Sequence, residues 1–234
     1  MKFLYFSIFW VGSFFSEYKN PDYLRPFYPY YSQAGQDKYL DKTIFASKKG
    51  GVFFDIGAHD GISYSNTYFF EKKGWSGICV EPQQEKFDLL EKNRSCLCLK
   101  GGIYDRSGEF EFIKVNGPSE MLTGIKETYV ERHFARVVKE IRERGGDIEI
   151  IKKMCFNFNE VCKQHNITYI DLLSIDTEGS EEKILKSIDF KNIDIDVIVV
   201  ENNYQSKNIN IFLEKKGYKF ITIVGDEIYR KIRN

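Results

Sequence analysis

The reading of this chain turns on Val52-Phe53-Phe54-Asp55-Ile56-Gly57-Ala58-His59-Asp60-Gly61. Residues 52–56 form an apolar run broken only by Asp55, the pattern of a strand buried on both faces. Gly57 and Gly61 flank a tight turn, and residues 63–73 suit the helix that follows. In an open α/β sheet such a turn sits at the switch point where ligands bind. Glycine leaves no Cβ to hold a ligand away from the backbone. The turn lacks the G-x-G-x-x-G spacing of a dinucleotide loop, and Asp55 and Asp60 would repel a pyrophosphate. They suit a cofactor that carries an ammonium and a sulfonium. Taken alone, the same turn would also serve plain strand–helix packing.

About 20 positions on, Ile78-Cys79-Val80-Glu81-Pro82 reads as a second apolar strand ending in an acid. A carboxylate there can accept hydrogen bonds from both hydroxyls of a ribose, which marks an adenosine site but serves NAD equally well. Without the glycine turn, Glu81 would read as a surface charge. The design recurs downstream. Asp171-Leu172-Leu173-Ser174-Ile175-Asp176-Thr177-Glu178-Gly179-Ser180-Glu181 is an apolar strand that ends in carboxylates, and Val199-Val200-Glu201-Asn202-Asn203 repeats it. Strand C-termini face the ligand crevice, so acids at three strand ends predict a polar crevice. Asp176 reads as functional. For Glu178, a site role and the capping of the next helix weigh evenly.

Around these anchors, residues 77–81, 95–100, 109–115, 169–176 and 196–201 read as strands, and 83–93, 157–165 and 207–216 as helices. Alternating βα units imply a parallel sheet with helices on both faces. The expected fold is therefore α/β, a doubly wound and mostly parallel seven-stranded sheet. Residues 218–224 and 227–232 should close it as an antiparallel hairpin around Gly225-Asp226. Residues 1–31 hold a hydrophobic segment and a Pro/Tyr-rich linker. Residues 32–234 form one domain, opening with a helix from a Ser32 N-cap to Ala46. An insertion at 116–150 breaks the rhythm. It contains a loop from Gly117 to Gly124, a basic helix over 125–144 and a strand near 148–155. In that helix Lys126, Arg132, Arg136, Lys139, Arg142 and Arg144 supply positive charge, and His133 reads as a solvated residue rather than a base.

The chain has 234 residues, room for one α/β domain with a full core. Its 34 Lys and Arg balance 34 Asp and Glu, so it lacks the net basic charge that nucleic acid attracts. Five cysteines, an odd count without C-x-x-C spacing, read as reduced core thiols. The apolar run over residues 3–15 is too short for a membrane span of about 20 residues. A packed helix or one lying on a membrane surface ranks ahead of a signal or anchor.

With these motifs assembled, the sequence resembles the FkbM-type family of class I methyltransferases. The resemblance rests on Ser32-Gln33-Ala34-Gly35-Gln36-Asp37-Lys38, on residues 52–61, on Ser65-Asn66-Thr67 with Phe70-Glu71, and on Gly74-Trp75-Ser76-Gly77. It continues through Val80-Glu81-Pro82, Asn93-Arg94, residues 170–179 and residues 200–202. It implies S-adenosylmethionine as the cofactor and methyl transfer to a hydroxyl of a sugar, a glycan or a related small molecule. By position it implies that Asp55, Gly57, Ala58 and Asp60 line the methionine part, Glu81 takes the ribose, Gln83 and Ile103 border adenine, and Asp176 lies near the methyl. Gln33, Asp37, His59, Ser65, Asn66 and Pro82 complete the expected cofactor-binding set, with His59 a loop hydrogen-bond partner. The terminal hairpin separates such a sheet from a plain dinucleotide-binding one. A cofactor made in the cytosol points to a cytoplasmic protein, with peripheral membrane contact through residues 3–15.

Methyl transfer is an in-line displacement at a carbon that the sulfonium already activates, so positioning dominates. A hydroxyl acceptor also needs a base within reach, and Asp176, Glu178 and Glu201 are the expected catalytic residues. Their hard oxygens would suit magnesium, though no metal is assigned. The insertion is expected to act as a lid, with residues 117–145 recognising a sugar or glycan acceptor that carries or neighbours a phosphate. Nucleic acid is not an expected partner. Two other classes compete: an NAD-dependent oxidoreductase, and a catalytically inactive protein that kept the fold for binding or trafficking. The absent G-x-G-x-x-G disfavours the first; intact Asp55, Gly57, Glu81 and Asp176 disfavour the second.

Overall fold

The computed structural model describes residues 29–46 and 48–233. The apolar run at 3–15 and most of the linker lie outside the described residues. Strand β1 (Val52–Ile56) pairs in parallel with β2 (Ser76–Glu81) on one side and β8 (Tyr169–Ile175) on the other. Beyond β2 lies β3 (Leu97–Lys100), and beyond β8 lies β9 (Asp194–Val200), both parallel. A hairpin of β10 (Tyr218–Val224) and β11 (Asp226–Lys231) closes the sheet, with β11 antiparallel to β9. The order β10-β11-β9-β8-β1-β2-β3 is the expected seven-stranded sheet. The chain leaves β1 in one direction and returns on its other side at β8. The crevice therefore opens where the C-terminal ends of β1 and β8 part.

Alternation along β1 explains the two layers. Phe54 and Ile56 pack into one cluster with Phe158, Leu173, Ile184 and Leu213, while Phe53 joins Leu40, Phe70, Trp75 and Leu90 on the opposite face. Successive strand side chains point to opposite faces, so both faces need cover. Helices α5 (Phe158–Gln164), α6 (Glu181–Ser187) and α7 (Lys207–Lys215) bury residues in the first cluster. Helices α2 (Tyr68–Lys72) and α3 (Gln84–Asn93) contribute to the second. The five cysteines are free, with Cys79, Cys155 and Cys162 buried. Among the described residues, no helix is long and apolar enough to cross a membrane.

Three expectations need correction. The helix expected from Ser32 begins only at α1 (Gln36–Tyr39), followed by a π-helical turn over Leu40–Ile44. Asp37 accepts the backbone N–H of Tyr31 and Ser32 and the Ser32 hydroxyl, which folds the preceding chain back instead of extending the helix. The helix expected over 63–73 shrinks to α2. The Asp60 carboxylate accepts from the N–H of Ile62 and Ser63, and the Ser65 hydroxyl from those of Thr67 and Tyr68. Such side-chain bonds compete with helix.

The third concerns the insertion, which is a second sheet. Strands β4 (Gly102–Tyr104), β5 (Gly108–Asn116), β6 (Gly124–Ile125) and β7 (Asp147–Asn157) assemble in the order β4-β7-β5-β6. The predicted helix over 125–144 starts late, because Gly124 and Ile125 pair with β5 and Lys126–Thr128 forms a 3-10 turn. Helix α4 (Glu131–Arg144) then packs Val137 and Ile141 against Ile113, Val115 and Leu122. Since β7 runs directly into the N-cap of α5 at Asn157, the second sheet is tied to the first through adjoining chain.

Candidate active site

The ends of β1, β2 and β8 and the Met121–Ile125 segment line a crevice, a concave place of the kind where small molecules bind. Glu81 is buried in its wall and accepts the backbone N–H of His59 at 3.0 Å and of Gln83 at 2.8 Å. Burial pushes its carboxyl above the ordinary value, and the two N–H groups pull it partly back. Pro82, Gln83 and Ile103 continue this wall, and Asp176 and Glu178 face it. A smaller recess adjoins, lined by Asp55, Ala58, His59, Ser65, Asn66 and Asp176. Gly57 borders both spaces.

Gly57 is glycine for a reason the sequence did not show. Its φ is 87°, and a Cβ would stand 1.8 Å from the Asp176 carbonyl oxygen. The neighbouring strand end, rather than a ligand, excludes a side chain. Asp55 accepts the Thr67 hydroxyl at 2.6 Å, and Arg94 Nη1 stands 3.9 Å from its carboxylate. Burial raises the Asp55 carboxyl while Arg94 opposes the rise. Arg94 itself is wholly buried. It pairs with Glu71, donates to the Gly61 carbonyl at 3.0 Å and the Thr67 hydroxyl at 3.0 Å, and stacks near Phe53 and Tyr68. The sequence singled out Arg94 only within a motif. A buried arginine leaves no periodic signal.

Of the expected cofactor set, Asp55, Gly57, Ala58, His59, Ser65, Asn66, Glu81, Pro82, Gln83, Ile103 and Asp176 come together around these spaces. Gln33, Asp37 and Asp60 do not line them. Asp60 spends its carboxylate on Ile62 and Ser63, and Asp37 on Tyr31 and Ser32. Both are loop-shaping acids of a kind that spacing alone cannot separate from ligand-facing ones. His59 donates its backbone N–H to Glu81, while its ring nitrogens stand 3.9 Å from Asp60 and 3.7 Å from Glu120, beyond a good hydrogen bond, and Asn66 Oδ1 has no hydrogen-bond partner among the described residues. A buried polar atom left unpaired costs about 1–3 kcal/mol. Unpaired atoms gathered at one crevice fit a polar ligand such as a nucleoside with an amino-acid tail.

At the far side of the crevice, Asp176 and Glu178 follow β8 and Glu201 follows β9. One carboxylate oxygen from each lies within 4.8 Å of the others. Burial raises all three carboxyls; neighbouring acids add to the rise, and Arg136 opposes it at Glu178. The capping alternative for Glu178 is taken by Glu181, which accepts the N–H of Thr177 at 2.9 Å and of Gly179 at 3.0 Å. Glu178 is thereby left at a strained φ of 56°, with Oε2 buried and without a hydrogen bond among the described residues. It stands 3.6 Å from Arg136 Nη1.

Beyond Glu178 a second chamber opens beside α4, lined by Thr128, Arg132, His133, Glu201, Asn202 and Tyr204 among others. His133 corrects another expectation, since only 1% of its surface is exposed. Its Nδ1 lies 2.8 Å from the Tyr204 hydroxyl, and burial with Arg136 nearby lowers its pKa to about 4. Arg132 stacks over the Tyr204 ring at 3.9 Å. Tyr204, unnoticed in the sequence, sits in an irregular turn whose neighbours only the tertiary structure reveals.

Acid-ended parallel strands, a ribose-type carboxylate and a closing hairpin together define an α/β transferase of the S-adenosylmethionine-dependent methyltransferase class. The sequence profile described as Methyltransferase FkbM domain matches residues 55–220, and the chain belongs to that family. Its cofactor is S-adenosylmethionine. Among solved structures, a TehB-like S-adenosylmethionine-dependent methyltransferase of Corynebacterium glutamicum is similar at 10% identity and a TM-score of 0.43, covering 86% of this chain and 89% of that one. A Streptococcus pneumoniae protein described as "a putative tRNA (m1A22) methyltransferase" is similar at 10% identity and a TM-score of 0.38, covering 84% of this chain and 70% of that one. No curated protein matches the chain.

Proposed function

We propose that this protein methylates a hydroxyl oxygen of a sugar, a glycan or a related small molecule. The observation that carries this reading is the position of Glu178, which lines both chambers. On one side stand the residues suited to the cofactor: Glu81 for the ribose hydroxyls, Gln83, Pro82 and Ile103 for the base, and Gly57, Ala58, His59, Ser65 and Asn66 for the amino-acid tail. On the other side is a polar space for the acceptor. When bound, the cofactor supplies an electrophilic methyl group. The chain's own task is to hold the acceptor oxygen in line and receive its proton. Asp176, Glu178 and Glu201 are the groups at that joint, and Glu178, pushed up to about 7 by burial, lies nearer to the range of a useful base than an exposed acid does. The acceptor's proton would pass to a carboxylate oxygen at this joint, while the bound cofactor would supply the methyl and take up the electron pair of the C–S bond.

The acceptor chamber refines the expected partner. Glu178, Glu181, Glu182 and Glu201 line it against Arg132. Carboxyl-rich walls offer hydrogen-bond partners to hydroxyls and disfavour an anion, so the inserted group is an uncharged polyol. Any phosphate then stays outside this chamber. The test is thermal unfolding followed by a transfer assay. S-adenosylhomocysteine at about 100 times its dissociation constant should stabilise the fold by about 2.7 kcal/mol, and NAD should leave it unchanged. Labelled methyl from S-adenosylmethionine should then appear as an ether on a polyol acceptor. Stabilisation by NAD alone, or transfer only to nitrogen or carbon acceptors, would overturn the reading.

A further inference from the structure

We propose that Asp176, Glu178 and Glu201 form a binding site for a hard divalent cation, magnesium or manganese in type, at the joint of the two chambers. The cation's remaining positions would face the acceptor chamber and take two neighbouring acceptor oxygens; that last clause rests on the methyltransferase reading, whereas the site itself does not.

The donor set is the first ground. Three carboxylates without a histidine or thiolate among them suit magnesium, manganese or calcium rather than zinc or copper. Ligand oxygens held about 2.0–2.6 Å from such an ion stand roughly 3–5 Å from one another, and these three lie within 4.8 Å. The scaffold is rigid on both sides: β8 and β9 are adjacent parallel strands with Ile175 in register with Val200, which brings residues 176–178 beside 201.

The second ground is the state of the groups themselves. Glu178 is 8% exposed, and its Oε2 accepts no hydrogen bond among the described residues. Its nearest positive partner is the single guanidinium of Arg136 at 3.6 Å. Asp176 and Glu201 have no ion pair among the described residues; Glu201 accepts from Asn203 at Oε1 and shares a hydrogen bond with Asp176. The neighbouring acids are already committed. Glu181 caps the Thr177–Gly179 turn, and Asp226 accepts from Gln36 and Asn66. Three adjoining carboxylates facing one internal cation is an arrangement that a second, divalent charge balances.

Manganese titrated into metal-stripped, cofactor-free protein, with the electron paramagnetic resonance signal of free manganese as the readout, should reveal one saturable site. Glu201→Gln, with an unchanged melting temperature in the absence of metal, should weaken it at least tenfold. Asp176→Asn should do the same and carries the test if Glu201→Gln does not fold. S-adenosylhomocysteine titrated calorimetrically into the same stripped protein reports separately on the cofactor side. Absent saturable manganese binding, or binding of wild-type strength in both variants, overturns the site. Manganese binding without S-adenosylhomocysteine binding supports the site and removes the methyltransferase reading instead.

Discussion

Arg94 and Glu81 are both buried charges next to the crevice, yet they answer to different physics. Arg94 spends its donors on Glu71, Gly61 and Thr67, all within the protein. Replacing it with leucine strands the buried carboxylates of Glu71 and Asp55. Breaking one side of a buried pair costs about 3–5 kcal/mol, so Arg94→Leu should lose that much in urea unfolding. Glu81 receives only two backbone N–H groups from nearby turns and opens on the crevice. Glu81→Ala should therefore weaken S-adenosylhomocysteine binding at least tenfold by calorimetry, from the loss of charge-assisted hydrogen bonds of about 1.5–3 kcal/mol each. Its unfolding free energy should change less than that of Arg94→Leu. Equal losses of stability in both variants, with cofactor affinity intact in Glu81→Ala, would sink the distinction.

Helix α4 shows why a reading at the level of elements reached only halfway. Its sequence is rich in alternating charge, which reads as a solvated rod. In the fold His133 and Val137 form a buried edge, while Phe134 and Val138 stay largely exposed. What buries His133 is Tyr129 at 4.3 Å between ring centroids, and Tyr204 across the chamber. Arg136 and Glu178 are the charged groups that face it. Its pKa, lowered from 6.5 to about 4, means that the neutral imidazole is favoured by docking. The sign follows: the contribution to docking α4 is complete above pH 6.5 and is lost as pH falls through about 4. Followed by NMR, the His133 ring should remain neutral at pH 5.5. Titration of His133 near 6.5 would show that α4 is undocked in solution.

Across the molecule, the two sheets divide the labour. The seven-stranded sheet supplies the strand ends, and the second sheet brings Met121, Thr123 and Ile125 over the first chamber. Cofactor binding should therefore slow hydrogen exchange at the β1–α2 turn and at residues 119–125 together, with α7 unaffected. Protection confined to the β1–α2 turn would show that the second sheet is no part of the cofactor site. The sequence by itself determined the alternation of strands and helices, the closing hairpin and the acids at the ends of β2, β8 and β9. Each of these is a local pattern of period, turn chemistry or spacing. The tertiary structure alone decided which acids face the crevice. Asp55, Asp60 and Asp37 look alike along the chain, yet Asp60 and Asp37 bind nearby backbone while Asp55 lines the recess beside Arg94. It also decided that Gly57 clears the Asp176 carbonyl, that residues 102–157 build a second sheet, and that His133 meets Tyr204 across 71 positions. These are long-range contacts, fixed by how strands cross and pack, and no window of neighbouring residues carries them.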